Sequence, residues 1–258
     1  MSRTSTIDSE ANPRFRSWRR QVEAGRRYRD GDLALVSGAR IVQEVLATHP
    51  QAVRYLLVPR GWVPSGGLED LPAHVEVVYL APSLLRELDL FGTRGPLVLA
   101  APPPVEPWEP AAAGPGAWIG IPFQDPANVG AMLRSCAGLG AAGAVLLPGA
   151  ASPWHPKAIR ASAGAAFSVT LRRAEVLPDP GELPLIGLDA RGRDLRTFDF
   201  PGRFLLMAGA EGPGLPRDLE PSVTLAVPMT AAVESLNATV AASIALYAWF
   251  TRGPSATS

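Results

Sequence analysis

Residues 227–250 read VPMTAAVESLNATVAASIALYAWF, and the predicted architecture depends on this segment more than on any other. A Val-Pro-Met strand end leads through Thr230–Glu234 into a helix of small and apolar residues, with no helix breaker before Gly253-Pro254. Ser235 can cap this helix, because its hydroxyl can accept a hydrogen bond from a backbone N–H of the first turn. Apolar residues occur on almost every side, which predicts a buried helix. Polar groups at the start of a buried helix need partners in the protein or in a ligand.

Strands alternate with helices in two separate parts of the chain. In the first part, the predicted strands are 33–36, 53–58, 75–80 and 97–100, and the predicted helices are 38–48 and 83–88. In the second part, the predicted strands are 118–122, 144–147, 168–170, 185–188, 204–208 and 225–227, and helices 128–139 and 156–161 precede the final helix. The first pattern predicts a small α/β domain, and the second predicts a mostly parallel, buried sheet.

A proline-rich segment separates the two parts. Residues 101–116 contain six prolines and show no periodicity, so we predict a stiff, extended spacer. The expected organisation is a basic arm over residues 1–30, helical from Pro13 to about Arg27, a domain over 31–100, a linker over 101–117 and a second domain over 118–258.

Positive charge is concentrated near the N-terminus. The chain has 24 basic and 24 acidic residues, yet residues 1–40 contain nine arginines and five acids. A basic arm on a neutral body is typical of an RNA-binding protein, and we expect Arg26, Arg27 and Arg29 to bind phosphates. The alternative is a solvated, frayed terminus.

Other features exclude several classes of protein. Cys136 is the single cysteine, so no intramolecular disulfide is expected and a cytoplasmic location fits. His49, His74 and His155 show no ligand spacing, and we predict no metal. The first residues lack the apolar core of a signal peptide, and no run of 18 apolar residues predicts a membrane span.

Two glycine-rich segments are candidates for a ligand site. Residues 138–143, GLGAAG, match the dinucleotide fingerprint, but a predicted helix precedes them and a strand follows, the reverse of what that fingerprint needs. We interpret them as a helix end and a tight turn, and reject an NAD site. Residues 209–214, GAEGPG, follow a predicted buried strand, and the carboxyl ends of such strands bind ligands in open α/β sheets. The alternative for this segment is a glycine-rich turn with one exposed acid.

Three segments together resemble the signatures of the SpoU (TrmH-type) branch of the SPOUT RNA methyltransferases. They are residues 125–134, DPANVGAMLR, residues 209–214 and the segment 227–250, in the order that the family shows. The resemblance implies an α/β fold with a C-terminal trefoil-knotted methyltransferase domain, which periodicity alone does not reveal. Gly38-Ala39-Arg40 and Thr93-Arg94-Gly95-Pro96 resemble the small N-terminal ribosomal-protein-like RNA-binding domain of many members. The family also implies a homodimer in which each active site borrows from its partner.

The same resemblance assigns candidate site residues. S-adenosylmethionine would bind at Gly209, Glu211, Gly212, Val227, Met229 and Leu236. The catalytic set would be Arg134, Asn128, Glu211, Ser235 and Asn237. RNA would be held by Arg26, Arg27, Arg29, Arg40 and Arg160.

Arg134 is expected to engage the acceptor ribose and its phosphate. Since guanidinium is essentially never deprotonated in proteins, we assign it to positioning and to stabilising the developing alkoxide, and not to general-base catalysis. The alternative is an ordinary surface ion pair, worth less than ~1 kcal/mol.

The sequence therefore predicts a ribose 2'-O-methyltransferase that acts on RNA, with 23S-type ribosomal RNA as the expected substrate. The same chemistry on transfer RNA, and an idle RNA-binding scaffold, are the alternatives. Ala163, Ala210 and Ala231 depart from residues common in the family, which puts cofactor affinity in doubt. The retained polar set, from Asn128 to Asn237, argues against the idle scaffold.

Overall fold

The computed structural model describes residues 3–23, 32–62, 71–176, 183–209, 214–216 and 219–252. The strands are β1 Thr4–Ile7, β2 Ala34–Ser37, β3 Val53–Pro59, β4 Glu76–Leu80, β5 Leu97–Ala100, β6 Glu106–Pro107, β7 Gly116–Ile121, β8 Gly143–Leu146, β9 Leu171–Arg173, β10 Leu185–Asp194, β11 Arg203–Ala208 and β12 Val223–Ala226. The helices are α1 Pro13–Glu23, α2 Ala39–Thr48, α3 Pro82–Leu88, α4 Pro126–Gly138, α5 Pro156–Ala161 and α6 Ala238–Arg252.

These elements form two compact units. The first unit contains residues 1–104 and 152–167, and the second contains 105–151 and 168–258. The first unit's long segment ends at Pro104, inside the predicted linker 101–117. The predicted domain limits themselves stay predictions. Residues 105–113 carry more structure than an extended spacer: β6 pairs with β9, and the Trp108 ring lies 5.0 Å from that of Trp118.

The first unit is built on a five-stranded sheet with the order β1-β4-β3-β5-β2. β1, β3 and β4 run parallel, whereas β5 pairs antiparallel with β2 and β3. Residues 4–23 belong to this unit and do not form the separate basic arm that charge predicted. Phe15, Trp18 and Val22 face its core, because their spacing places them on one side of α1.

Two of the four arginines of α1 form ion pairs within the first unit. Arg14 pairs with Glu76 at 3.0 Å, and Arg19 pairs with Glu87 at 3.3 Å. The described helix ends at Glu23, so the predicted extension to about Arg27 lies outside the described residues.

The second unit contains a seven-stranded sheet with the order β12-β10-β11-β7-β8-β9-β6. Each adjacent pair that is described runs parallel, which confirms the predicted parallel sheet. β9 begins three residues beyond the start of the predicted strand 168–170, and β10 continues to Asp194. Within the described ranges, no helix has both the length and the apolar character needed to cross a membrane.

Two predictions about α6 were wrong. The helix is capped by Asn237, whose Oδ1 accepts from the N–H groups of Thr239 at 2.9 Å and Val240 at 3.2 Å, while Ser235 lies two residues farther upstream and is exposed. The helix is also buried on one side only. Its inner face holds Ala242, Ala245, Leu246 and Trp249, and its outer face holds Val240, Ile244, Tyr247 and Phe250, each at least 37% exposed.

The segment GLGAAG has the predicted structure of a helix end and a tight turn. α4 ends at Gly138, Gly140 has a positive φ of 66°, and β8 starts at Gly143. Cys136, on the buried side of the same helix, has a thiol pKa raised to about 12 by burial. The thiol is therefore protonated and unreactive at neutral pH.

Gly143 is expected to be required for packing, whereas Gly138 is not. A Cβ at Gly143 would lie 2.5 Å from the Trp118 ring and 2.7 Å from the Thr170 carbonyl oxygen, while a Cβ at Gly138 would meet nothing within 4 Å. Gly143→Ala should lower the free energy of unfolding by about 1–3 kcal/mol through overpacking. Gly138→Ala should be neutral or stabilising by up to ~1 kcal/mol through helix propensity. Urea unfolding followed by tryptophan fluorescence measures both, and equal midpoints for the two variants would contradict the packing argument.

A candidate ligand cavity at the strand ends

A cavity of about 600 Å³ opens in the second unit where β11 and β12 end. The carboxyl ends of parallel strands are the usual place for ligands in such sheets. Its walls come from β10, β11, β12, the segment after β12 and the start of α6. The lining residues are Leu188–Arg191, Ala208, Gly209, Gly214, Leu225, Val227, Met229, Ser235–Ala238 and Ala241.

Six predicted site residues meet in this cavity. They are Gly209, Val227, Met229, Ser235, Leu236 and Asn237. A Cβ at Gly209 would lie 2.5 Å from the carbonyl carbon of Gly214, so only glycine allows the two ends of this loop to approach so closely. The intervening residues, including the predicted Glu211 and Gly212, lie outside the described residues.

The β10 wall was not predicted. Leu188 and Arg193 both pair with Leu225, so residues 189–192 form an excursion within β10 between the two pairings, and residues 189–191 line the cavity. The excursion ends at Gly192, which packs directly against β12. A Cβ there would lie 2.6 Å from the backbone of Leu225, so only glycine fits. The signal in the sequence was a polar Asp-Ala-Arg-Gly directly after the apolar run LIGL.

Asp189 and Arg191 form an ion pair within this excursion. Oδ1 of Asp189 accepts from the backbone N–H of Arg191 at 2.9 Å and from its Nε–H at 3.2 Å. The side-chain hydrogen bond, followed by the backbone one, lowers the pKa of the Asp189 carboxyl from its ordinary value. The carboxyl is therefore ionised at neutral pH.

The two predicted site residues of α4 lie outside the cavity lining. The Thr239 hydroxyl donates to the Asn128 carbonyl oxygen at 3.5 Å, which links α4 to the start of α6. The hydroxyls of Ser135 and Ser243 are hydrogen-bonded at 2.8 Å one turn or more farther along. Arg134 is exposed on α4, and its guanidinium makes no hydrogen bond or ion pair within the described ranges.

A groove of about 340 Å³ separates the exposed sides of α4 and α6. It is lined by Ala131, Ser135, Thr239, Val240, Ser243, Ile244 and Tyr247. The groove continues the exposed apolar face of α6 through Val240, Ile244 and Tyr247.

The predicted RNA-binding residues that are described lie in the first unit. Arg40 is exposed at the start of α2, and the Arg160 guanidinium lies over the Phe91 ring at 4.6 Å from its centroid. Arg26, Arg27 and Arg29 lie outside the described residues.

A third arginine, Arg94, lies at the same end of the first unit's sheet as Arg40. Ser37, three residues before Arg40, pairs with Leu97, three residues after Arg94, so both loops leave the sheet there. The carboxylate of Asp89 accepts from the Thr93 hydroxyl at 3.0 Å and from the Arg94 N–H at 2.8 Å. Arg94 is thereby held at a φ of 54°, which is unusual for a residue other than glycine.

In the described parts of the chain, no three His, Cys, Asp or Glu side chains gather as a metal site would require. The expected absence of a metal stays a prediction.

Comparison with known proteins identifies the family. The profile of the SpoU rRNA Methylase family matches residues 121–247. A 23S rRNA (uridine(2479)-2'-O)-methyltransferase of Streptomyces viridochromogenes is 30% identical over 260 residues, covering 92% of this chain and 88% of that protein. This chain belongs to the SpoU rRNA methylase family. The resemblance drawn from its three sequence segments is thus confirmed.

Two further comparisons extend over most of the chain. The crystal structure of the SpoU methyltransferase AviRb from Streptomyces viridochromogenes, in complex with the cofactor AdoMet, has a TM-score of 0.72 and 28% identity, and covers 93% of this chain and 98% of that one. The "Ribosomal RNA small subunit methyltransferase G 2" of Syntrophobacter fumaroxidans is 42% identical over 96% of this chain. The chain spans only 49% of that protein's length. The comparison with AviRb shows that the α/β fold of this chain matches that of a SpoU methyltransferase.

Proposed function

We propose that this SpoU-family protein transfers a methyl group from S-adenosylmethionine to the 2'-hydroxyl of a ribose in RNA, with 23S-type ribosomal RNA as the substrate. The observation that carries the proposal is the single cavity that gathers Gly209, Val227, Met229 and Leu236 at the strand ends. The AdoMet-bound structure similar to this chain supports the cofactor, and the Streptomyces relative supports both the 2'-oxygen and the ribosomal substrate.

The residues of the cavity suit an adenosine-containing cofactor. Leu188, Leu225 and Ala208 are buried and offer an apolar slot for a flat base. Gly209 allows the Gly214 backbone to lie close beside it in the same lining. The lining also contains polar residues: Asp189 is half-buried, whereas Arg191 and Ser235 are exposed. S-adenosylmethionine, when bound, supplies a methyl group already activated by its sulfonium.

The protein's own contribution is then alignment and electrostatics. Holding the acceptor oxygen against the methyl group can supply ~7–11 kcal/mol of the barrier. We assign Arg134 to the acceptor ribose and its phosphate, where a permanently charged fork binds a phosphate bidentately. Asn128, Glu211, Ser235 and Asn237 complete the proposed set that shapes the site.

Because Arg134 lies outside the cavity of its own chain, we propose that a homodimer assembles the site. The exposed face of α6 and its groove against α4 would be covered by a second copy. Four large apolar side chains on one exposed helix face are typical of an association surface. The trefoil knot of the family, with α6 threaded through an earlier loop, belongs to the same proposal.

The RNA target can be read directly. Mapping 2'-O-methyl groups in total RNA with and without the protein distinguishes 23S-type RNA from small-subunit RNA, to which the name of the Syntrophobacter relative refers. It also distinguishes both from transfer RNA, and an idle scaffold would leave every position unchanged.

Arg134→Ala should abolish methyl transfer while S-adenosylmethionine affinity stays within a few-fold of wild type, because the residue lies outside the cavity. Arg134→Lys should be nearly as inactive, since a point charge cannot reproduce a bidentate fork. Arg173→Ala, an exposed arginine on β9, is the matched control and should transfer at the wild-type rate. Single-turnover assays on bound RNA and calorimetry with the cofactor measure the two quantities. Transfer by Arg134→Ala at close to the wild-type rate would remove this residue from the mechanism.

Ile244→Glu combined with Tyr247→Glu should convert the proposed dimer to a monomer, because two carboxylates would have to be buried in an apolar interface. The monomer should lose methyl transfer together with association. Val176→Glu introduces one carboxylate at an exposed apolar residue outside α6 and should leave the dimer intact. Sedimentation at micromolar concentration measures the state, and a monomeric wild type with full activity would refute the proposal.

Arg40→Ala combined with Arg160→Ala should weaken binding to an unmodified 23S rRNA transcript. The salt dependence of binding should flatten by about one unit of log–log slope for each phosphate that the variant no longer binds. Arg54→Ala is the control, because Arg54 is exposed at the start of β3, at the Ala100 end of β5 and away from Leu97. Filter binding across a salt series measures both variants. An equal reduction of affinity in the double variant and in the Arg54→Ala control would show general charge attraction and no defined surface.

A further inference from the structure

The β10 wall of the cavity changes from apolar to charged along three residues. Leu188 is 9% exposed and lines the cavity, Asp189 follows it with a side chain that is 31% exposed, and Arg191 is 92% exposed. An adenosine ligand has a matching order of groups, since a flat aromatic base, whose faces pack on apolar side chains, is joined to a ribose that carries two hydroxyl donors.

The Asp189 carboxylate is fixed in place before any ligand binds. Oδ1 already accepts both hydrogen bonds from Arg191, whereas Oδ2 has no hydrogen-bond partner in the described part of the chain. Gly192 returns the chain to Leu225 with no room for a side chain, so the excursion is held at both ends. An oriented carboxylate oxygen on a cavity wall is a ready acceptor for a hydroxyl group.

We propose that Asp189 is a cofactor-binding residue whose free carboxylate oxygen accepts a hydrogen bond from a ribose hydroxyl of the adenosine group. Arg191 acts as a positioning residue, because its two hydrogen bonds occupy Oδ1 and leave Oδ2 for the ligand. The inference rests on the proposed function, since it concerns the same cavity and the same class of ligand.

The ribose fits this place better than the other donors of the cofactor. Asp189 is the residue next to buried Leu188, so it lies at the border of the apolar slot, where the sugar of a slot-bound base must emerge. The α-ammonium group lies farther from the base, beyond the sulfur. A carboxylate paired with the ribose hydroxyls serves the same purpose in dinucleotide-binding folds, although that site is built differently.

The chain provides a matched control five residues farther on. Asp194 and Arg196 repeat the arrangement, with Oδ1 accepting from the Arg196 N–H at 2.8 Å and from its Nε–H at 3.1 Å. Asp194 is outside the cavity lining. Removing either carboxylate breaks the two hydrogen bonds to Oδ1, and removing that of Asp194 also breaks the two that its Oδ2 accepts from Arg196 at 3.1 and 2.7 Å. Only Asp189 is placed to contact a ligand.

The experiment compares Asp189→Ala with Asp194→Ala in the full chain. The probes are S-adenosylhomocysteine and its 2'-deoxy and 3'-deoxy forms, whose neutral sulfur removes any attraction of Asp189 for a sulfonium. Wild type should bind one deoxy form about tenfold more weakly than it binds S-adenosylhomocysteine. Asp189→Ala should bind S-adenosylhomocysteine about tenfold more weakly than wild type does, as expected for the loss of a hydrogen bond to a charged group. Asp189→Ala should show no additional loss for that deoxy form. Asp194→Ala should bind all three probes as wild type does.

The pattern of affinities decides between the outcomes. A loss in Asp189→Ala that is equal for all three probes would overturn the inference, because it would show a structural effect or a contact with the ammonium group. Unchanged affinity would overturn it as well. Asp189→Asn, which keeps the turn, is the second variant should the alanine variant fail to fold, and it should show the same missing discrimination with a smaller loss. If wild type binds none of the probes, the proposed function fails, whereas binding without the expected coupling overturns only this inference.

Discussion

The hydrogen bonds that Asn237 accepts from Thr239 and Val240 fix where α6 begins, and the second unit's site depends on that point. The first turn of the helix forms one wall of the cavity, so a start one turn earlier or later would replace Leu236 and Ala238 in the lining. Thr239 also joins the same turn to Asn128 of α4. One capping residue thereby sets both the cavity and the contact with the helix that carries Arg134. A side-chain cap of this kind is worth about 1 kcal/mol.

Small residues let α6 serve two surfaces at once. Its inner face meets the strands through Ala242, Ala245 and Leu246, and its contact with α4 includes the close hydroxyl pair of Ser135 and Ser243. Val240, Ile244, Tyr247 and Phe250 lie on the opposite face, where they are exposed. The cavity and the apolar face are consequently two sides of one helix, which is why the proposed dimer and the proposed site are linked physically.

The sequence predicted the strands well and the surroundings of α6 poorly. Runs such as 204–208 are apolar for a strand's length and end at glycine, so their assignment needs no tertiary information. By contrast, a helix buried on all sides and one with an exposed apolar face are equally apolar in sequence, and the outer face from Val240 to Phe250 was therefore assigned to the core. Ser235 and Asn237 are both good caps, and only the folded chain shows which one directly precedes the helix. At the N-terminus, the charge pattern predicted a separate arm. The helical spacing of Phe15, Trp18 and Val22 was the better signal, because it indicates a helix with one buried face.

Asp189 was missed for a different reason, since its position depends on register and not on periodicity. β10 pairs with Leu225 twice, and the register shift between the two pairings places residues 189–191 in the cavity lining. In the first unit, Asp89 similarly holds Arg94 in a conformation that costs of order 1–3 kcal/mol. In both places a carboxylate orders a short loop by accepting from backbone and side chain together. Such loops have no hydrophobic pattern, so their geometry becomes visible only when the strands that flank them are paired. Chemistry that depends on them is consequently the part of a site that sequence reasoning reaches last.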